Sequence, residues 1–257
     1  MVPAYEIIPL IVGRIFADKG MMTYFLNYGQ PIALPVVFWY IKGGDKKILV
    51  DSGATSEIMN KIWHGGSEDI RTFEDALRFV DLMPDDIDII IQTHLHFDHC
   101  ANSSKCKNAK IVVQEEELRF AYQPHPLIAA MYSKELFQDL KFVTVKGDAE
   151  ILPGIKVVHV PGHAPGSQAV SVDTAKGKAV ISGFCCTSDV FDVPKEMKVN
   201  WPVITPGIHC DALKAFDSAM KVKGIADILI PQHEIKMAGL KSIPGDGTKN
   251  DESKHWE

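Results

Sequence analysis

Residues Ile87 to Gln92, IDIIIQ, are a short apolar run that passes directly into Thr93-His94-Leu95-His96-Phe97-Asp98-His99. A run this short and this apolar reads as a buried strand. Three imidazoles and a carboxylate then fall within six residues. A protein interior does not hold that many polar groups at a strand end unless something satisfies them together. A divalent cation does so, and imidazole with carboxylate suits zinc, with iron and manganese as alternatives. On an extended loop His94 and His96 project to one side and can share an ion. Asp98 and His99 come after the chain has turned, within reach of a second ion about 3.5–4 Å from the first, the spacing of two-metal hydrolytic sites. Each ion then needs further ligands from other strand ends. His163 follows the run Ile155–Val160 inside a Pro/Gly turn, HVPGHAPGS, and His233 follows Ile228–Ile230 in ILIPQHE. His159 lies within its run and reads as packing or as support for a ligand.

The surrounding pattern supplies such strand ends. The opening MVPAYEIIPLIVGRIFADKG has no basic segment and no small-residue cleavage site, so it reads as a first strand rather than a leader. Two apolar runs flank Gly43-Gly44-Asp45, a hairpin signal between Pro35 and Asp51. A helix is expected over Ser67–Val80 with Thr72 as cap, another over Glu115–Tyr122, and another near Leu127–Leu140 after Pro124-His125-Pro126. Ile111–Gln114, Phe142–Val145, Gln168–Val172 and Ala179–Ser182 read as strands. Asp211 is placed to cap a helix over Ala212–Val222. Strands and helices in this order suggest an α/β protein with two mixed sheets facing each other and helices outside, an αββα sandwich, as one domain over residues 1–257. The polar end, residues 245–257, is expected to be flexible.

Composition narrows the function. With 27 Lys and Arg against 33 Asp and Glu, the net charge is 27 − 33 = −6, which disfavours nucleic acid as the partner. No run of about 18 apolar residues is present, so no membrane-spanning helix is expected. Five cysteines at irregular spacing do not make a secreted disulfide framework, and a reducing cytoplasm is expected.

THLHFDH matches the HxHxDH motif of the metallo-β-lactamase superfamily. ILVDSG resembles that family's strand ending in an Asp, and VPGHAPGS its third-histidine loop. These phrases run in the family's order from Val36 to His233. Within the superfamily the chain is similar to the N-acyl homoserine lactonases, through PVVFWYIKGGDKKILVDSG, AKIVVQEEELRFA and GHAPGSQAVSV. The resemblance implies the αββα fold and a dinuclear site. His94, His96 and His163 would hold one ion, Asp98, His99 and His233 the other, and Asp51 would orient a ligand histidine from behind. It implies two zinc ions, a small-molecule substrate, and a metal-dependent hydrolase that opens a lactone or a related cyclic ester or amide. Water whose pKa the cation lowers from 15.7 to about 7 would attack, with Asp98 orienting it. A homodimer is left open. The alternatives on the same scaffold are an iron-dependent sulfur dioxygenase and a thioester hydrolase of the glyoxalase II kind.

The chain also departs from that pattern. The family's bridging Asp is missing from ISGFCCTSD, and Asp189 comes too late. Cys185 is the replacement expected on ligand chemistry, with Cys186 behind it. The substrate-contacting Tyr of the lactonases is replaced by Cys186 and Thr187. Cys100-Ala101-Asn102 stands where the family has Gly-Gly. Candidate pocket segments are Met21–Phe25, Phe38–Tyr40, Gln123–Tyr132 and Val190–Trp201. His125, Phe38, Tyr40 and Trp201 are the candidate pocket residues, and His64 and His209 carry weaker claims.

Overall fold

The computed structural model describes residues 4–198 and 200–250. β1 (Glu6–Asp18) pairs antiparallel along its length with β2 (Pro31–Lys42). Both are rich in β-branched and aromatic residues, which fit a pleated and half-buried surface. The Gly43-Gly44-Asp45 turn returns the chain into β3 (Ile48–Val50), antiparallel to β2. β4 (Ser67–Asp69) lies on the far side of β1. It approaches at Gly13, where a register shift bulges β1 and a Cβ would press on the Glu68 carbonyl. β5 (Ile89–Ile91), β6 (Lys110–Gln114) and β7 (Phe142–Val145) then add in parallel beyond β3. The seven-stranded sheet has the order β4-β1-β2-β3-β5-β6-β7. β8 (Ala149–Leu152), β9 (Ile155–His159), β10 (Gln168–Thr174) and β11 (Gly177–Ile181) form an antiparallel meander, and β12 (Ile228–Ile230) joins β11 in parallel.

Strand side chains alternate between faces, and the two-residue period sorts the core. Val37, Trp39 and Ile41 of β2 face Val157, Val170 and Ile181 of the smaller sheet across a shared apolar layer. Phe38 and Tyr40 point the other way, under the helices α1 (Ser56–Ile62) and α2 (Phe73–Arg78), and pack with Met59, Phe73 and Leu77. Thr72 caps α2, its hydroxyl accepting from Asp75 N at 3.0 Å. The single turn α3 (Phe97–Cys100) follows β5, and α4 (Glu115–Tyr122) follows β6. Beyond α5 (Lys195–Lys198), helix α6 (Ala212–Ile225) lays Ala219 and Val222 against Val158 and Val180 on the outer face of the smaller sheet. Asp211 caps it, accepting from Lys214 N at 3.1 Å. A last turn, α7 (Ile235–Ala238), closes the chain after β12. Helices on the outside of two facing sheets are the αββα arrangement read from the order of elements. Each large side chain sunk fully into these layers contributes about 1.5–3 kcal/mol. None of the described helices is long and apolar enough to cross a membrane.

Three expectations are corrected here. The helix starts at Phe73 behind the expected Thr72 cap, but Ser67–Asp69, grouped with it in the sequence, is the edge strand beside β1. The stretch Leu127–Leu140 is two isolated 3-10 turns, Ala129–Met131 and Lys134–Leu136. Tyr132 and Phe137 are both buried in one cluster, and positions five apart on an α-helix diverge by about 140°. Two short turns let both side chains enter the same cluster. Phe38 and Tyr40 do not line the pocket beside the two triads, since alternation commits them to the layer beneath α1 and α2. Within the polar end, Lys241 N donates to Thr248 O at 2.9 Å, and the Asn250 amide donates to Ala238 O at 2.9 Å. The rest of the expected flexible tail, 251–257, lies outside the described residues.

Candidate metal centre

The carboxyl ends of β3, β5, β6, β9, β11 and β12 open toward one edge of the sandwich, and loops leaving strand ends are where α/β sheets bind ligands. β3 ends in Asp51, fully buried and held at φ 60°. Its backbone N–H donates to Ile91 O at 3.0 Å, so Asp51 stands beside the loop that leaves β5. That loop carries His94 and His96, and α3 carries Asp98 and His99. His163 comes from the Pro/Gly turn after β9, and His233 follows β12, its N–H donating to Cys186 O at 3.0 Å.

Two triads form. The ligand atoms of His94, His96 and His163 lie within 4.8 Å of one another, and so do those of Asp98, His99 and His233. The rings of His94 and His99 join them, with centroids 4.0 Å apart. Hydrogen bonds fix the tautomers. His163 Nδ1 lies 2.7 Å from Ile208 O, and His233 Nδ1 lies 3.0 Å from Pro35 O. A carbonyl only accepts, so both Nδ1 atoms donate and both Nε2 atoms keep a lone pair. His99 Nδ1 donates in the same way to Asp51 Oδ2 at 2.8 Å. The Thr93 hydroxyl donates to Asp51 and therefore accepts from His94 Nδ1 at 3.0 Å. Asp51 also accepts Thr93 N–H at 2.8 Å and the Gln232 amide at 2.9 Å.

The Nε2 lone pairs thus converge. His94 Nε2 and His163 Nε2 face each other at 3.1 Å. His96 Nε2 is buried with no hydrogen-bond partner. Two lone pairs in contact beside an orphaned third are unfavourable unless a cation sits among them, and three imidazoles are a good donor set for one. In the second triad Asp98 Oδ2 lies 3.3 Å from His99 Nε2 and 3.9 Å from His233 Nε2. Burial holds His94 and His96 well below the usual imidazole range and pulls His163 down to about 4. It lowers His233 as well. These four rings are neutral at pH 7, the form that binds metal. Burial alone would lower His99, but the carboxylates of Asp98 and Asp51 outweigh it and push that ring up to about 10. Burial alone would raise Asp98, but the His99 ring outweighs it and holds the carboxyl below its usual range.

The matched region is broad. The family model of the metallo-beta-lactamase superfamily covers residues 31–223. An N-acyl homoserine lactonase of Bacillus thuringiensis is 30% identical over 181 residues, spanning 66% of this chain and 70% of its own. The chain belongs to the metallo-beta-lactamase superfamily. Among solved structures, a B. thuringiensis AiiA variant with N-decanoyl-L-homoserine bound at its active site superposes with a TM-score of 0.74 at 25% identity, over 91% of this chain and 95% of that one. A probable metal-dependent hydrolase from Staphylococcus aureus superposes at 0.75 and 21% identity, over 98% and 96%, and speaks for the fold. This superfamily member is a metal-dependent hydrolase.

The other expected residues fall differently. Cys185 lines the pocket but joins neither triad. Gly183 turns the chain at φ 73°, Phe184 enters the outer core, and Cys185 Sγ comes to rest 3.4 Å from Met22 Sδ in an apolar corner with Leu34. Burial pushes that thiol well above its usual value. Cys186 lies deeper, 3.2 Å from Ser182 Oγ. His125 is exposed, its Nδ1 accepting from Leu127 N, and Trp201 stands at the surface outside the pocket lining. His159 ends β9, 3.8 Å from Glu116, away from both triads. Two of the expected pocket segments do reach the wall, through Met22 and Met131; the rest of it is Ile15, Leu34, Trp63, Phe97 and Ile208. Sequence reasoning missed Thr93 and Gln232, although each adjoins a ligand candidate in the chain. It also missed Leu34, Trp63 and Ile208, which no motif marks.

Proposed function

We propose that the protein hydrolyses a lactone carrying an apolar substituent, with two zinc ions held by His94, His96 and His163 and by Asp98, His99 and His233. One observation carries this reading: both triads open into a single pocket whose remaining wall is apolar. Divalent cations held there supply an acidified water and polarise a carbonyl oxygen. Asp98 lines the pocket with Oδ2 turned toward His99 and His233, so its carboxylate is placed to accept the proton of the attacking water and return it to the departing alkoxide. Ile208 O, Pro35 O and Thr93 hold the Nδ1 protons of His163, His233 and His94, which leaves their Nε2 lone pairs for metal, and His99, held through Nδ1 by Asp51, would give up its Nε2 proton to bind one. The apolar wall fixes the acyl side of the substrate and excludes water. It continues past Trp63 and Met131 into a neighbouring groove with Phe16, Met21 and Ile62, room for a tail beyond the ring. The relatives' recorded activity on N-acyl homoserine lactones supports the same ring chemistry.

The test is a panel of lactones with short and long acyl tails, beside linear esters and thioesters, assayed with zinc-loaded protein by mass spectrometry of the ring-opened acid. Lactone opening that rises with tail length is expected. Thioester cleavage without lactone opening would replace the proposal with a thioesterase.

A further inference from the structure

Glu117 is a fully buried carboxylate that no metal triad uses. It sits in the first turn of α4, where Glu115 pairs with Lys146 and Glu116 lies 3.8 Å from His159. Its Oε1 accepts from Leu95 N at 3.0 Å and from the Tyr132 hydroxyl at 3.1 Å, and its Oε2 accepts from Gly166 N at 3.1 Å. These donors come from three separate segments. Leu95 lies between His94 and His96, and Gly166 lies three residues after His163. Tyr132 lays the edge of its ring against His96, with centroids 4.7 Å apart and planes at 74°. The fit is close on the backbone side too, since a Cβ on Gly166 would overlap the backbone of Glu117. One carboxylate thus spans the two loops that supply all three imidazoles of the first triad. The second triad is oriented by other groups: His99 by Asp51 and His233 by Pro35 O.

We infer that Glu117 is a positioning residue for the cation held by His94, His96 and His163, and for that cation alone. This rests on the metal reading above. Ionised, the carboxylate offers acceptors on both oxygens, which three converging donors require. A glutamine of the same size offers one carbonyl oxygen, for Leu95 N–H and the Tyr132 hydroxyl, and turns its NH2 toward Gly166 N–H. Donor then meets donor at the His163 loop, and the loop shifts away from His94.

The experiment measures zinc affinity by competition with a chromophoric chelator in two backgrounds, His233→Ala, which leaves only the first triad complete, and His163→Ala, which leaves only the second. Adding Glu117→Gln is expected to weaken zinc roughly 10- to 100-fold in the His233→Ala background, the usual effect of removing a group that orients ligands. In the His163→Ala background affinity is expected to stay unchanged. Equal losses in both backgrounds, or none in either, would overturn the inference. Zinc binding in neither background, before Glu117 is altered, would instead overturn the metal reading and this inference with it. Should Glu117→Gln fail to fold, Tyr132→Phe removes one donor from the same carboxylate and leaves both backbone donors. A smaller loss confined to the first site supports the inference, and unchanged affinity there overturns it.

Discussion

At the scale of single residues, the direction of each imidazole proton decides what the cluster can do. Asp51 shows how. It receives hydrogen bonds from Thr93 N–H, the Thr93 hydroxyl, the Gln232 amide and His99 Nδ1, so both oxygens are engaged. Asp51→Asn would set an NH2 against one of these donors. It is expected to lower zinc affinity at the Asp98, His99 and His233 site roughly 10- to 100-fold, read by chelator competition. Metal-stripped protein adds a pH test. Burial pulls folded His163 down from 6.5 to about 4 and shifts His94, His96 and His233 the same way. A lowered folded value means that the unfolded chain takes up protons first, so stability is present above 6.5 and is lost as pH falls toward 4. His99 runs oppositely: raised to about 10, it contributes fully below 6.5 and loses that contribution as pH climbs through 10. Among these imidazoles, four act on the acid side. Melting temperatures of EDTA-treated protein should therefore fall as pH drops from 6.5 toward 4, and a flat acid limb would count against the buried neutral imidazoles.

At the scale of elements, periodicity was readable wherever it had one interpretation. The apolar run before His94 is β5, the Gly43-Gly44-Asp45 turn joins β2 to β3, and Thr72 and Asp211 cap the helices they were expected to cap. Leu127–Leu140 was misread because its apolar residues fit a helical count while tertiary packing wanted Tyr132 and Phe137 on the same side. That packing is measurable. Phe137 is 1% exposed, and Phe137→Ala is expected to cost about 3–5 kcal/mol in urea denaturation. Leu127, 85% exposed, should change stability by about 0.5 kcal/mol or less when cut to Ala. Equal effects would contradict the two-turn arrangement. Phe38 and Tyr40 make the same point for strands: aromatic content suggested a pocket, but the two-residue alternation of β2 sends them outward beneath α1 and α2.

At the scale of the whole molecule, the centre draws ligands from both sheets, His94 to His99 from the larger, His163 and His233 from the smaller. A cation bound there ties the two layers together and favours the folded state by mass action, about 4 kcal/mol at a thousandfold excess over Kd. EDTA is therefore expected to lower the melting temperature, and added zinc to restore it; a melting curve indifferent to both would argue against a structural cross-link at this edge. The sequence by itself determined the chemistry: the density of His and Asp after a buried strand, the two later strand-end histidines and the order of strands and helices. Those features are local or periodic, and both survive in a one-dimensional text. Only the tertiary structure decided which atoms meet. It turned Cys185 toward Met22 rather than toward the triads, built the pocket wall from Leu34, Trp63 and Ile208, and set Glu117 between two histidine loops. Each of these depends on contacts between residues far apart in the chain, fixed by close packing of layers, and no spacing along the sequence encodes such distances.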